Sequence, residues 1–205
     1  MSGLTLNKDI LLVDKLKRES GEKTYPIWLL FNPKHPAVRH YIWTPVLAEI
    51  QDKVFRELRT RIDASKLYTR NAVCDSGIVP NTLNWWDNKV ATEIEQFRDI
   101  VLEHEPKILI SFGAFPFEFV RRAFAIKPEK GPKSWGTTNL GDEFVKSIEN
   151  FNINKTNIIP LLRRVVASDK FIEEPRFSEN YFQYVGTKIA ERIIENKDAL
   201  NIWMD

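Results

Sequence analysis

The turn Phe31-Asn32-Pro33-Lys34-His35 follows directly on the apolar run Ile27-Trp28-Leu29-Leu30. A buried strand ending in such a turn delivers an amide and an imidazole to the carboxyl edge of a sheet, where open α/β folds keep their ligands. A second apolar run, Leu67–Cys74, carries Asn71, and a third, Lys107–Phe112, runs straight into Gly113-Ala114. The Asn71 amide offers one acceptor and one donor type in a plane, which matches the adjacent N–H and C=O of a pyrimidine edge. It could equally cap its strand or bond a neighbouring loop, as buried amides do. Asn32 and Pro33 are common turn residues in their own right. Arg163 and Arg164 close a fourth run, Thr156–Leu162. A guanidinium there could stabilise an anion, grip a phosphate through two parallel hydrogen bonds, or join a salt bridge at a strand end.

Helices must lie between these strands to bring their ends to one edge. Leu47, Ile50, Val54 and Leu58 recur at helical spacing after Thr44-Pro45, which predicts a helix over 45–60 with Thr44 as N-cap and proline in the first turn. Val90, Ile94, Phe97 and Val101 repeat the pattern up to Pro106, a short helix is expected over Phe115–Phe124, and Phe182, Val185, Ile189 and Ile193 mark a closing helix. The proline-, glycine- and lysine-rich stretch Lys127–Gly141 reads as the longest loop and Asp75–Trp86 as the next. Strands separated by helices pair in parallel through right-handed crossovers. The expectation is one domain over residues 1–205, a three-layer α/β/α sandwich around a central, mostly parallel four-stranded sheet.

Composition narrows the classes. The chain has 205 residues, 43% hydrophobic and 28% charged, which describes a soluble globular protein large enough for one sizeable core. Cys74 is the single cysteine, so no intrachain disulfide forms and cysteine-ligated zinc or iron–sulfur sites lack ligands, which fits a reducing cytoplasm. His35 and His40 have no cysteine or acidic neighbour at ligand spacing, and no metal is expected. No stretch approaches the roughly 18 apolar residues of a membrane span. A formal charge of +2 and a pI near 8.6 permit nucleic-acid binding without requiring it. No pair of carboxylates stands out as an acid/base couple.

Taken in order, Phe-Asn-Pro-Lys-His after the first strand, Asn-Ala-Val in the second, Ser-Phe-Gly-Ala after the third and Leu-Leu-Arg-Arg at the fourth resemble the uracil-DNA glycosylase superfamily. The family's own marks are Gln-Asp-Pro-Tyr-His or Asn-Pro-Gly, Asn-Ala-Val, Trp-Gly-Ser and His-Pro-Ser, and the likeness spans about residues 25–195. The resemblance implies a DNA partner and monofunctional hydrolysis of the glycosidic bond of uracil or another deaminated base, without a cofactor. A base must leave the duplex before that bond can be cut. By this likeness Asn71 reads the base, and Asn32 stands where active branches carry an Asp that stabilises the sugar cation and orients water. The amide supplies no charge, so weak excision is expected. Pro33, His35 and Gly113 would line the pocket, and Tyr41 or Trp43 falls where an aromatic ring stacks on the base, unless one or both are core. The family's His has no counterpart; Arg163 or Arg164 replaces it, and Ser168 stands near the phosphate-contacting Ser. Arg121, Arg122 and Lys133, with Lys127 and Lys130, would form a positive rim for the backbone. A non-catalytic nucleic-acid or nucleotide binder on the same fold is the alternative, and a small-metabolite enzyme of similar architecture is a third.

Overall fold

Near-continuous apolar runs become strands buried on both faces, because parallel sheets are covered by helices above and below. The computed structural model describes residues 19–33, 38–74, 86–164, 171 and 180–204. Its strands are β1 (Glu19–Ser20), β2 (Ile27–Phe31), β3 (Tyr68–Asn71), β4 (Ile108–Phe112) and β5 (Asn157–Leu161). They form one sheet in the order β1-β3-β2-β4-β5. The four expected strands pair in parallel, with Phe31 opposite Asn71 and Leu30 opposite Ser111. A fifth strand corrects the four-stranded expectation: β1 pairs antiparallel with β3. Two polar residues carry no period to read in sequence. Their place is fixed by tertiary contacts, Ser20 Oγ with Thr69 Oγ1 at 2.6 Å and the Tyr68 hydroxyl donating to Glu19 at 2.8 Å.

The helices are α1 (Arg39–Leu58), α2 (Asn88–His104), α3 (Ala114–Ala123), α4 (Thr137–Glu149) and α5 (Tyr181–Glu195). Alternation along each strand sorts the core into two layers. Ile27, Leu29 and Phe31 with Ile108, Ile110 and Phe112 meet α1, α4 and α5, while Trp28, Leu30 and Leu109 meet α2 and α3. Burying each such side chain contributes about 1.5–3 kcal/mol. The α2 helix runs as its period requires: Asp87 caps it by accepting from the Val90 N–H at 3.0 Å, and it ends at the left-handed Glu105 before Pro106.

Two elements depart from the sequence reading. α1 begins at Arg39, with Pro45 inside it, so Thr44 is no N-cap; its hydroxyl instead donates to the His40 carbonyl at 2.7 Å. The last five residues of the expected Lys127–Gly141 loop belong to α4, whose Leu140, Phe144 and Ile148 are buried at helical spacing. The glycines and prolines just upstream conceal that period. Gly141 lies within α4 because a Cβ there would stand 1.9 Å from the Phe171 carbonyl oxygen.

Sheet order reverses about β2 and β4: the chain passes from β2 outward to β3, then crosses back to β4 and outward to β5. The carboxyl ends of these strands therefore define the crevice where doubly wound folds bind ligands.

Candidate functional site

Asn71 closes β3 at this edge and is fully buried, at 0% exposure. Its neighbour Arg70 points to α2, donating to Glu93 at 3.1 Å, so alternation turns Asn71 to the opposite face, alongside its partner Phe31. Among the described residues, neither Oδ1 nor Nδ2 of Asn71 has a hydrogen-bond partner. Buried polar groups are nearly always satisfied, so such an orphan is a sign of strain or of a missing ligand. The backbone beneath it is held firmly. Arg70 Nε and the Cys74 thiol both donate to the Asn71 carbonyl, at 3.3 and 3.4 Å, and Glu93 accepts from the Cys74 N–H at 3.2 Å. Burial, foremost, pushes the Cys74 thiol above its ordinary pKa.

An aromatic layer flanks Asn71 on the same face. Phe31 stacks on Phe112 with ring centroids 4.5 Å apart and planes 3° off parallel, and Trp43 meets Phe112 edge-on at 5.9 Å. The choice between the two α1 aromatics is thereby settled as a matter of packing: Trp43 is core at 8% exposure, and Tyr41 is surface at 77%. Trp43 Nε1 and Ser111 Oγ are further buried polar atoms without partners among the described residues.

The Asn32 side chain is half-buried and engaged. Its Oδ1 accepts from the Val73 N–H at 3.2 Å, beside the 2.6 Å bond from the Ala72 N–H to the Phe31 carbonyl. Asn32 thus clamps the exit of β2 to that of β3, with Pro33 buried next to it. His35 and Ser168 lie outside the described residues.

Gly113 joins β4 to α3 with φ +96°, a left-handed value that favours glycine. Its N–H donates to the Leu161 carbonyl at 2.8 Å and is therefore committed to β5. A Cβ at Gly113 would lie 3.1 Å from the Arg163 Cβ, so the missing side chain is what lets Arg163 sit against the β4 exit. Arg163 and Arg164 are both exposed, and among the described residues neither forms an ion pair. Partial burial first, then the adjacent charge of Arg164, pushes the Arg163 guanidinium below its ordinary value.

The expected positive rim is smaller than the sequence suggests. Glu118 of α3, fully buried, accepts from Arg121 at 2.7 Å, Arg122 at 3.3 Å, the Lys130 N–H at 2.7 Å and Trp135 Nε1 at 2.8 Å. Arg121 is buried in this network and lies over Trp135, and Arg122 lies 3.9 Å over the Trp86 ring. Both arginines therefore balance Glu118, and their guanidinium groups are engaged in that network. Lys127 pairs with Glu129, and Lys133 remains exposed. In the sequence, the only sign of this role for Glu118 is its i+3 and i+4 spacing to the two arginines. Among the described residues, no group of three or more His, Cys, Asp or Glu could hold a metal ion, and no helix is long and apolar enough to cross a membrane.

Comparisons with protein-family models, curated proteins and solved structures give no match. The chemistry therefore rests on the Asn71 amide, the aromatic layer beside it and the exposed arginines across the β4 turn.

Proposed function

We propose that the protein takes an extruded pyrimidine-type base at the carboxyl edge of its sheet and hydrolyses the glycosidic bond, acting as a divergent uracil-DNA glycosylase. One observation carries this reading: the buried Asn71 amide presents both a donor and an acceptor that no described residue satisfies. Each unsatisfied buried group costs about 1–3 kcal/mol, which a ligand edge offering an adjacent N–H and C=O would recover. That is the edge of uracil, and reading it requires the base to be out of the stack.

In the proposed reaction, water attacks the anomeric carbon, the C–N bond breaks with its electron pair leaving on the base, and the proton that the attacking water gives up ends on that base anion by way of solvent. Arg163, beside Gly113, supports the reading as a permanent positive charge available to that developing anion or to the flanking phosphate. Asn32 would orient the water through whatever capacity its amide retains beyond the Val73 contact. No carboxylate stands at the Asn32 turn, so several kcal/mol of electrostatic stabilisation are missing and turnover should be slow.

That same Asn32–Val73 bond favours a second reading, a binder of nucleic acid or nucleotide that retains the pocket without turnover. An excision assay separates the two. Oligonucleotides carrying uracil or hypoxanthine, single-stranded and opposite each base, are incubated with protein and treated with alkali to cut abasic sites, with Asn71→Ala as control. Strand cleavage that the variant loses supports the glycosylase; salt-sensitive binding without cleavage supports the binder; neither cleavage nor binding overturns both.

A further inference from the structure

The main chain and the side chain of Asn71 are held very differently. Arg70 Nε and the Cys74 thiol both donate to the Asn71 carbonyl, and the parallel ladder sets the residue opposite Phe31. Its position is therefore fixed. The amide has no such anchor among the described residues. On the α2 side, Glu93 is taken up by Arg70 at 3.1 Å and by the Cys74 N–H at 3.2 Å. At the neighbouring strand exit, Asn32 Oδ1 accepts from the Val73 N–H at 3.2 Å. Phe31 and Phe112, stacked on the amide's own face, have no polar side-chain atom to offer, and Trp43 Nε1 makes no bond to it.

An amide oxygen and an amide NH₂ are nearly the same size, so packing does not distinguish one orientation from its half-turn about χ2; hydrogen bonds alone do. The two orientations read different edges. In one, Oδ1 accepts from the N3–H of uracil while Nδ2 donates to its O4. After the half-turn, Nδ2 donates to the N3 of cytosine while Oδ1 accepts from its exocyclic amine. An amide locked by the protein sets donor against donor for one of the two bases, and a bidentate edge contact then discriminates roughly 5- to 150-fold. An amide that nothing locks forfeits that discrimination.

We infer that the Asn71 site takes the Watson–Crick edges of uracil and cytosine alike, the amide turning to match whichever base is present. This dual recognition rests on the base-reading role proposed above for Asn71. Any preference for uracil then arises as the bond breaks, because the charge left on uracil spreads over two carbonyls and that on cytosine over one.

The test uses the full chain and short single-stranded oligonucleotides that carry one base each, every other position being an abasic tetrahydrofuran unit, with binding read by fluorescence anisotropy. The base is uracil, cytosine or 3-methyluracil on a 2′-fluoro sugar. The fluorine slows cleavage of the glycosidic bond, so binding alone is measured, and the methyl group blocks the edge that Asn71 reads. Expected are Kd values for uracil and cytosine within about fivefold of each other, both at least about fivefold below that of 3-methyluracil, and an Asn71→Ala variant that brings the three together. A gap of more than about fivefold between uracil and cytosine, with 3-methyluracil weaker still, overturns dual recognition and leaves base reading by Asn71 standing. Equal affinity for all three bases overturns base reading itself, and dual recognition with it. Both comparisons are made on the wild-type chain, so they decide even where the variant fails to fold.

Discussion

Replacing Asn71 by leucine tests whether its amide is held in reserve for a ligand or serves the fold. The side chain is fully buried and its Oδ1 and Nδ2 have no partner among the described residues, so the native state carries a desolvation of about 1–3 kcal/mol for each group. Leucine is similar in size and has no polar atoms. Removing the amide should relieve part of that cost, offset by about 1 kcal/mol of local repacking against Phe31 and its neighbours. A net gain of about 2 kcal/mol corresponds to a rise in Tm of about 4–8 °C for a chain of this length. Circular-dichroism melts of wild type and Asn71→Leu measure the shift, and the excision or binding assay is run on the same preparations. The expected pattern is opposite in sign: higher stability and lost recognition of uracil. A Tm that falls by several degrees would refute the reasoning, because it would show that the amide has structural partners in solution and is not waiting for a ligand.

Glu118 should behave oppositely, since it balances two arginines from a position with no access to water; Glu118→Gln should cost about 3–5 kcal/mol in urea unfolding, as breaking a buried ion pair leaves cations uncompensated. Gly113→Ala places a side chain at φ +96° and 3.1 Å from the Arg163 Cβ; a loss of about 1–3 kcal/mol in thermal stability is expected, with weakened binding of uracil oligonucleotides as Arg163 is displaced. Arg163→Ala should lower affinity for single-stranded DNA and reduce the slope of log K against log salt by about one, read by fluorescence anisotropy at several salt concentrations. Burial foremost raises the pKa of Tyr25, Tyr68 and Tyr181 above the ordinary tyrosine value. Above about pH 10 the unfolded chain therefore sheds protons that the folded chain keeps, so stability is intact below that pH and falls as pH rises, by about 1.4 kcal/mol per pH unit per tyrosine. Urea midpoints that stay flat from pH 9 to 11 would show that these hydroxyls ionise as freely in the fold as outside it.

What the sequence determined by itself is whatever depends on neighbours along the chain. Val90, Ile94, Phe97 and Val101 between Asp87 and Pro106 dictate a helix, because period and caps are local properties. The unbroken apolar runs of β2 and β4 dictate strands covered on both faces, and the alternation of strand and helix dictates parallel pairing and a crevice at the carboxyl edge. Tertiary structure alone decided the partners. β1 exists only because β3 offers an edge, and α4 only because its apolar stripe finds β5 and Phe171. Trp43 lies inside and Tyr41 outside because α1 starts six residues before Pro45, which sets the phase of its buried stripe. Two arginines that read as a phosphate rim are drawn inward by Glu118, since a buried carboxylate must find cations within reach of its own helix. Asn71 is visible in the sequence as a candidate, but that its amide finds no partner among the described residues follows only from everything packed around it. Satisfaction of a polar group is a sum over contacts from distant parts of the chain, and no local pattern encodes that sum.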